Sequence, residues 1–231
     1  ILLGAGLGRL LKMDRDTALL TSIGSSICGA AAVLGAEPVV KSQPYKAAVA
    51  VSTVVIFGTL SMFLYPALFR AGMLDLTTEQ MGLFTGATLH EVAHVVGAGN
   101  AMGQAISDPA IIVKMIRVMM LAPVLVILSI ILSRREAAAG QTGQKRKITI
   151  PWFAFLFLAV IGFNSLHLLP SGVVSAINSL DTFLLTMAMT ALGAESSFEK
   201  FKKAGARPFL LAALLYAWLF FGGYWLVKGM T

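Results

Sequence analysis

Long apolar stretches alternate with short polar joints along the whole chain. The stretches fall at about 1–12, 17–36, 46–69, 79–98, 110–132, 151–169, 175–195 and 207–228. Most approach the ~20 apolar residues that a helix needs to cross a bilayer. The pattern therefore predicts an all-α protein, a polytopic transmembrane helical bundle. The first stretch, ILLGAGLGRLL, stops at Lys12. At ~1.5 Å per residue it is too short for a core ~30 Å thick, which predicts a chain that lacks its N-terminal helices.

Composition supports the membrane. Apolar residues make up 57% of the 231 positions and charged residues 13%, with a mean hydropathy of +0.82. A soluble domain carries about a quarter charged residues. The net charge of +7 would suggest nucleic acid in a soluble protein. Here it fits the bias of Lys and Arg toward cytoplasmic joints, and no nucleic-acid partner is expected. Placing Arg9, Lys12 and Arg15 in the cytoplasm also places Arg70, Arg134, Arg135, Lys145, Arg146, Lys147, Lys200, Lys202, Lys203 and Arg207 there. Lys41, Lys46 and Lys228 fall outside. This orientation predicts a multi-pass protein of the bacterial cytoplasmic (inner) membrane with its C-terminus on the outer face. The stretch 133–150, SRREAAAGQTGQKRKITI, is the one substantial loop and reads as a cytoplasmic connector. Pro151 opens the next helix, where its missing N–H is harmless. The single cysteine, Cys28, rules out an intrachain disulfide and a multi-cysteine metal site. No cofactor is expected.

An internal similarity bears on architecture. DTALLT at 16–21 returns as DTFLLT at 181–186, and LGAE occurs at Leu34–Glu37 and Leu192–Glu195. The two helices lie five spans apart and so run in opposite directions. Inverted five-helix repeats, common in secondary transporters, would produce this pattern. Chance matches in an alanine- and leucine-rich chain are the competing reading. On the repeat reading, residues 1–69 end the first repeat, as a remnant helix plus two spans, and residues 70–231 form the second.

Four polar groups of residues carry candidate chemistry. GSSICGAAAV, from Gly24 to Val33, contains Gly and Ser that ease a helix break. A half-helix starting inside the membrane offers free N–H groups and a positive dipole end to an anion. This makes Ser25, Ser26, Cys28 and Gly29 candidate substrate contacts, with close helix packing by small residues as the alternative. HEVAH at His90–His94 matches the H-E-x-x-H zinc motif, with His90 and His94 as metal ligands and Glu91 as general base. A third ligand is required, and Asp181 falls near the end of its span. A mid-membrane polar cluster in which His90 and Glu91 carry a coupling proton is the commoner use of such groups; a structural hydrogen-bonded pair is the other reading. Lys114 and Arg117 share one helix face at i and i+3. Each costs ~3 kcal/mol or more in lipid, so each must snorkel or face a polar interior. With His90 and Glu91 nearby they would form a seat for an oxyanion, which suits the forked donors of Arg. Finally, Asn164 could bridge helices and His167 cap its span, while Tyr216, Trp218, Tyr224 and Trp225 read as lipid contacts and interfacial anchors.

The strings GSSICGAAAV, EPVVK, VAVSTVVIFGT, FLYPA, HEVAHVV, KMIRVMMLAP, KITIPWFA, FNSLHLLP and LDTFLLTMAMTALG closely resemble the YeiH family of bacterial inner-membrane proteins, generally labelled sulfate exporters. The resemblance covers nearly the whole chain. It implies a protein of about eleven spans, of which this chain carries the later part, and kinship with the bile-acid/arsenite/riboflavin transporters. It further implies inverted five-helix repeats with two interrupted crossing helices, here 17–36 and 175–195. In one respect the chain departs: the family pattern reads HEVAQ where this chain has His94, which weakens a ligand role for that residue.

Residues and resemblance together predict a secondary transporter exporting a small oxyanion, sulfate or a sulfonate, by alternating access. Its partners would be the lipid bilayer and the anion, with homo-oligomerisation left open. An intramembrane zinc hydrolase and a non-transporting membrane scaffold or sensor are the alternatives from other classes.

Overall fold

The computed structural model describes residues 1–138, 152–166, 168–195 and 205–230, and among them all regular structure is helical. The first half contains α1 (Leu2–Leu10), α2 (Arg15–Ser26), α3 (Ala30–Val40) and α4 (Pro44–Arg70). Next come α5 (Thr78–Thr88), α6 (Val92–Met102), α7 (Gln104–Met119) and α8 (Leu121–Ala138). α9 (Trp152–Ser165), α10 (Ser171–Glu195), α11 (Ala206–Ala217), a π turn at Trp218–Gly222 and α12 (Gly223–Lys228) follow. His167, most of the expected 133–150 connector and the basic residues Lys200, Lys202 and Lys203 lie outside the described residues.

Among the described residues, three rods are long and apolar enough to cross a membrane: Pro44–Arg70, Gln104–Arg134 and Ala206–Lys228. They frame two shorter devices. Asp14 caps α2 by accepting from the Thr17 N–H at 3.0 Å, as an N-cap carboxylate should. The chain then breaks at Ile27–Gly29, with Gly29 at φ +68°, a left-handed conformation that favours glycine. Each arm, of 12 and 11 residues, reaches only about half of a ~30 Å core. The ion pairs show where α3 goes. Lys46, in the first turn of α4, lies 2.9 Å from Asp14 and 2.8 Å from Asp16, so α3 returns to the face from which α2 entered. Deeper in, Gly24 sits against both Val33 of α3 and Val54 of α4. The expected span 17–36 is therefore a re-entrant hairpin.

The expected span 79–98 is a second hairpin, entering from the opposite face. Thr77 and Gln80 form a capping box at the start of α5. The helix stops at Leu89, whose backbone is extended, and Glu91 stands at the N-cap of α6. Arg70, ending α4, donates to the carbonyl of Ala101 near the end of α6 at 2.7 Å. On α5, Gly82 packs on Pro109 and Gly86 on the Ala110 carbonyl, so α5 and α7 run side by side in the same direction. This is close approach through a G-x-x-x-G face.

These contacts revise the expected sidedness. Lys41 and Lys46 share a face with Lys12 and Arg15, while Arg70 sits on the other face with Asp75 and Lys228, which pair at 2.9 Å. Arg207 donates to the Lys12 carbonyl at 3.2 Å and fixes the start of α11 on the first face. The pairing of 17–36 with 175–195 is also revised. α10 is unbroken from Ser171 to Glu195, and its hydroxyls close back on their own helix, as Thr182 does on Asn178 and Thr186 on Thr182 at 2.8 Å. The partner of the first interrupted helix is 78–102.

Each hairpin has its own core. Leu20, Ile23, Ala32 and Val33 pack with Leu121 and Leu125 around the first. Met81, Phe84, Val95, Ala98 and Ile106 pack with Tyr65 around the second. There Tyr65 stacks on Phe84 at 4.9 Å and meets Phe220 edge-on at 5.5 Å, which ties α4 and α5 to the π turn. α4 serves both cores and spans the distance between them.

Candidate functional site

The two hairpin tips meet where the arms run out, at mid-depth. Their helices leave main-chain groups without intrahelical partners, each costing several kcal/mol if left bare in hydrocarbon. Two cations of α7 satisfy the carbonyl side. Lys114, with no exposed surface, donates to the carbonyls of Ile27 at 3.0 Å, Leu89 at 2.7 Å and His90 at 2.6 Å. Arg117 donates to Ala87 at 2.6 Å, Leu89 at 3.0 Å, Ser26 at 2.8 Å and Ser25 at 3.4 Å. Both side chains thus bridge the C-terminal ends of α2 and α5, where a helix dipole favours positive charge. All three Lys114 N–H groups point at carbonyls, so its pull on an anion is electrostatic.

Glu91 satisfies the amide side. Its Oε1 accepts from the Ala30 N–H, the first residue of α3, at 3.1 Å. Its Oε2 lies 3.8 Å from His94 Nδ1. The carboxylate of one hairpin therefore sits on the positive end of a half-helix in the other. Gly29 leaves room for this: a Cβ there would come within 2.3 Å of Glu91 Cγ. Gly58 of α4 does the same for the imidazole, since a Cβ would meet His94 Nδ1 at 2.4 Å. His94 Nε2 is 3.3 Å from the Thr59 hydroxyl. His90, Glu91 and His94 are all buried. Among the described residues, the Nδ1 atoms of both histidines and the Ser25 hydroxyl have no hydrogen-bond partner.

The structure thus brings together every expected site residue around the two tips: Ser25, Ser26, Cys28 and Gly29 on the first, His90 and Glu91 on the second, Lys114 and Arg117 beneath both. What sequence reasoning missed is the second break, and with it the parts played by Ala30, Gly58, Thr59 and His94. The HEVAH motif straddles that break. His90 precedes α6 and His94 lies within it, so the continuous helix that the zinc motif requires is missing. Among the described residues no group of three His, Cys, Asp or Glu side chains is placed to hold a metal. A groove of about 600 Å³ lined by Asn164, Asn178, Ser179 and Thr182 lies between α9 and α10, away from this chemistry. A cleft of about 500 Å³ reaches Ser26, Ile27 and Arg117 beside the first tip.

Three apolar crossing rods and two opposed half-length hairpins around buried charges define an integral membrane protein with a polar centre. The chain belongs to the YeiH, or UPF0324, family of membrane proteins. Residues 1–212 match the family described as Conserved hypothetical protein 698. A UPF0324 membrane protein of Bacteroides thetaiotaomicron is 67% identical over 229 residues, 99% of this chain and 68% of that protein. A UPF0324 membrane protein of Bordetella bronchiseptica is 54% identical over 233 residues, 100% of this chain and 72% of that protein. The UPF0324 inner membrane protein YeiH of Escherichia coli K12 is 51% identical over 215 residues, 93% of this chain and 61% of that protein. No solved structure matches the chain.

Proposed function

We propose that the protein is a secondary transporter that moves a small oxyanion, such as sulfate or a sulfonate, across the bacterial cytoplasmic membrane by alternating access. One observation carries this reading: two re-entrant hairpins from opposite faces meet at mid-depth around Glu91, His94, Lys114 and Arg117. Interrupted helices with facing ends are the usual seat for substrate and coupling ion in such proteins. Ionisable groups at that depth are expensive and are kept where they work. The half-helix amide end at Ala30 and the field of the two cations favour an anion. Glu91, with His90 and His94 beside it, carries the coupling proton. The Lys/Arg rule places the face bearing Arg9, Lys12, Arg15, Lys41, Lys46, Arg134 and Arg207 in the cytoplasm, which sets Lys228 and the C-terminus outside.

The test is sulfate uptake by full-length protein in proteoliposomes, with and without a pH gradient. Gradient-driven flux that Glu91→Gln uncouples is the expected result. No flux of sulfate, sulfite or a small sulfonate by folded protein would remove the transport reading.

A further inference from the structure

We infer that Glu91 is a tethered anion: its carboxylate occupies the seat, formed by the Ala30 N–H and the His94 ring, that a free oxyanion takes when the carboxylate leaves. The inference rests on the oxyanion reading above and adds where the anion sits and what it competes with.

The amide end of α3, a helix of 11 residues, is already filled by a negatively charged group. That group comes from a segment 61 residues away, 3.1 Å from the Ala30 nitrogen. A capping carboxylate normally comes from the residue at the helix start. Here that position is Gly29, with no side chain, so the residue at the helix start supplies no cap to the Ala30 amide. Independently, His94 is 1% exposed, and its Nδ1 has no hydrogen-bond partner among the described residues although it faces Glu91 Oε2 at 3.8 Å. The neighbouring carboxylate favours the His94 tautomer with its proton on Nδ1, facing the second carboxylate oxygen, and that tautomer lets Nε2 accept from the Thr59 hydroxyl 3.3 Å away. The seat thus offers two N–H groups to two oxygens of one anion.

The surroundings favour negative charge whichever anion is present. Lys114 and Arg117 of α7 stand beneath both tips, Cys28 lies on the first tip and His90 adjoins Glu91 on the second. The carboxylate cannot share the seat, because two oxyanions in one low-dielectric site repel strongly. Occupation by substrate therefore requires Glu91 to move off or to lose its charge. Its departure would also break the direct side-chain contact between the two tips, leaving them bridged through Lys114 and Arg117. Formate is the closest free copy of the displaced group, and sulfate presents the same pair of oxygens on a larger centre.

Equilibrium binding of sulfate and of formate to purified full-length protein in detergent tests this, using wild type, Glu91→Ala and Glu91→Gln. Removing the tethered competitor raises the competent fraction, so Glu91→Ala should bind at least one of the two anions about tenfold more tightly or better. Glu91→Gln keeps the side-chain shape and removes the charge, and it should show a gain in the same direction should the alanine variant fail to fold. Tighter sulfate assigns the seat to a tetrahedral oxyanion, and tighter formate alone assigns it to a carboxylate. Unchanged or weaker binding of both anions in a folded variant overturns the inference. Tighter binding without any flux in proteoliposomes would keep the seat and remove the transporter.

Discussion

Lys114 is fully enclosed, and three main-chain carbonyls meet its three N–H groups. Replacing it with methionine keeps the volume and leaves the Ile27 and His90 carbonyls bare, while the Leu89 carbonyl keeps its bond from Arg117. Unsatisfied buried acceptors cost about 1–3 kcal/mol each. Lys114→Met should therefore lower stability by about 2 kcal/mol or more, seen as a large drop in Tm in detergent. Gly29→Ala attacks the same junction from the other side. It forces a Cβ at positive φ and into Glu91, and strain of this type alone costs on the order of 1–3 kcal/mol. Both cations were legible in the sequence, because charge in an apolar run demands a partner. Their partners were not, since main-chain carbonyls exposed by a break leave no residue-type signature. Glu91 was legible as a candidate for the same reason as the cations; its contact with Ala30 depends on two tips meeting, which no local pattern encodes.

Among the elements, α5 and α7 lie close enough that a Cβ at Gly86 would sit 2.2 Å from the Ala110 carbonyl oxygen. Gly86→Leu should push the second hairpin away from α7 and pull its tip off Lys114 and Arg117. The expected readout is loss of the folded-protein peak in size exclusion or a strongly lowered Tm, whereas an unchanged Tm would contradict the close approach. Outside the membrane, the α5 approach loop is tied to α12 by Asp75 and Lys228. The hydrogen bond and charge of Lys228 hold the Asp75 carboxyl below its usual range. A depressed carboxylate contributes above its unfolded value and stops contributing as pH falls through its folded one. Hydrogen exchange in residues 71–77 should therefore quicken as the medium turns acidic, and Asp75→Asn should remove that pH dependence. The pair is exposed, so Tm should hardly change. The first break was announced by GSSICG. The second, at Leu89–Glu91, has neither glycine nor proline, and a helical reading of HEVAH passed straight over it.

At the scale of the whole molecule, the hairpins decide which residues face which side. In full-length protein with Cys28 replaced by serine, single cysteines at Arg15 and Lys41 should label from the same side of the membrane, and cysteines at Arg70 and Lys228 from the other. Labelling of Arg15→Cys and Lys41→Cys from opposite sides would restore the full-span picture of 17–36. Hydropathy made the membrane and the three crossing rods readable at once. It could not distinguish a crossing helix from two half-length arms, because both present some twenty apolar residues in a row. The half-length arms also constrain how the protein is made. Neither arm of the first hairpin is long enough to enter the bilayer as an independent unit, and the lysine that closes its tip lies 87 residues further along. During synthesis this hairpin emerges well before its closing residue exists, so it must wait in the insertion machinery or at the bilayer surface. It settles only after α7 has been delivered, which makes assembly order, and not only final stability, a property written into this chain.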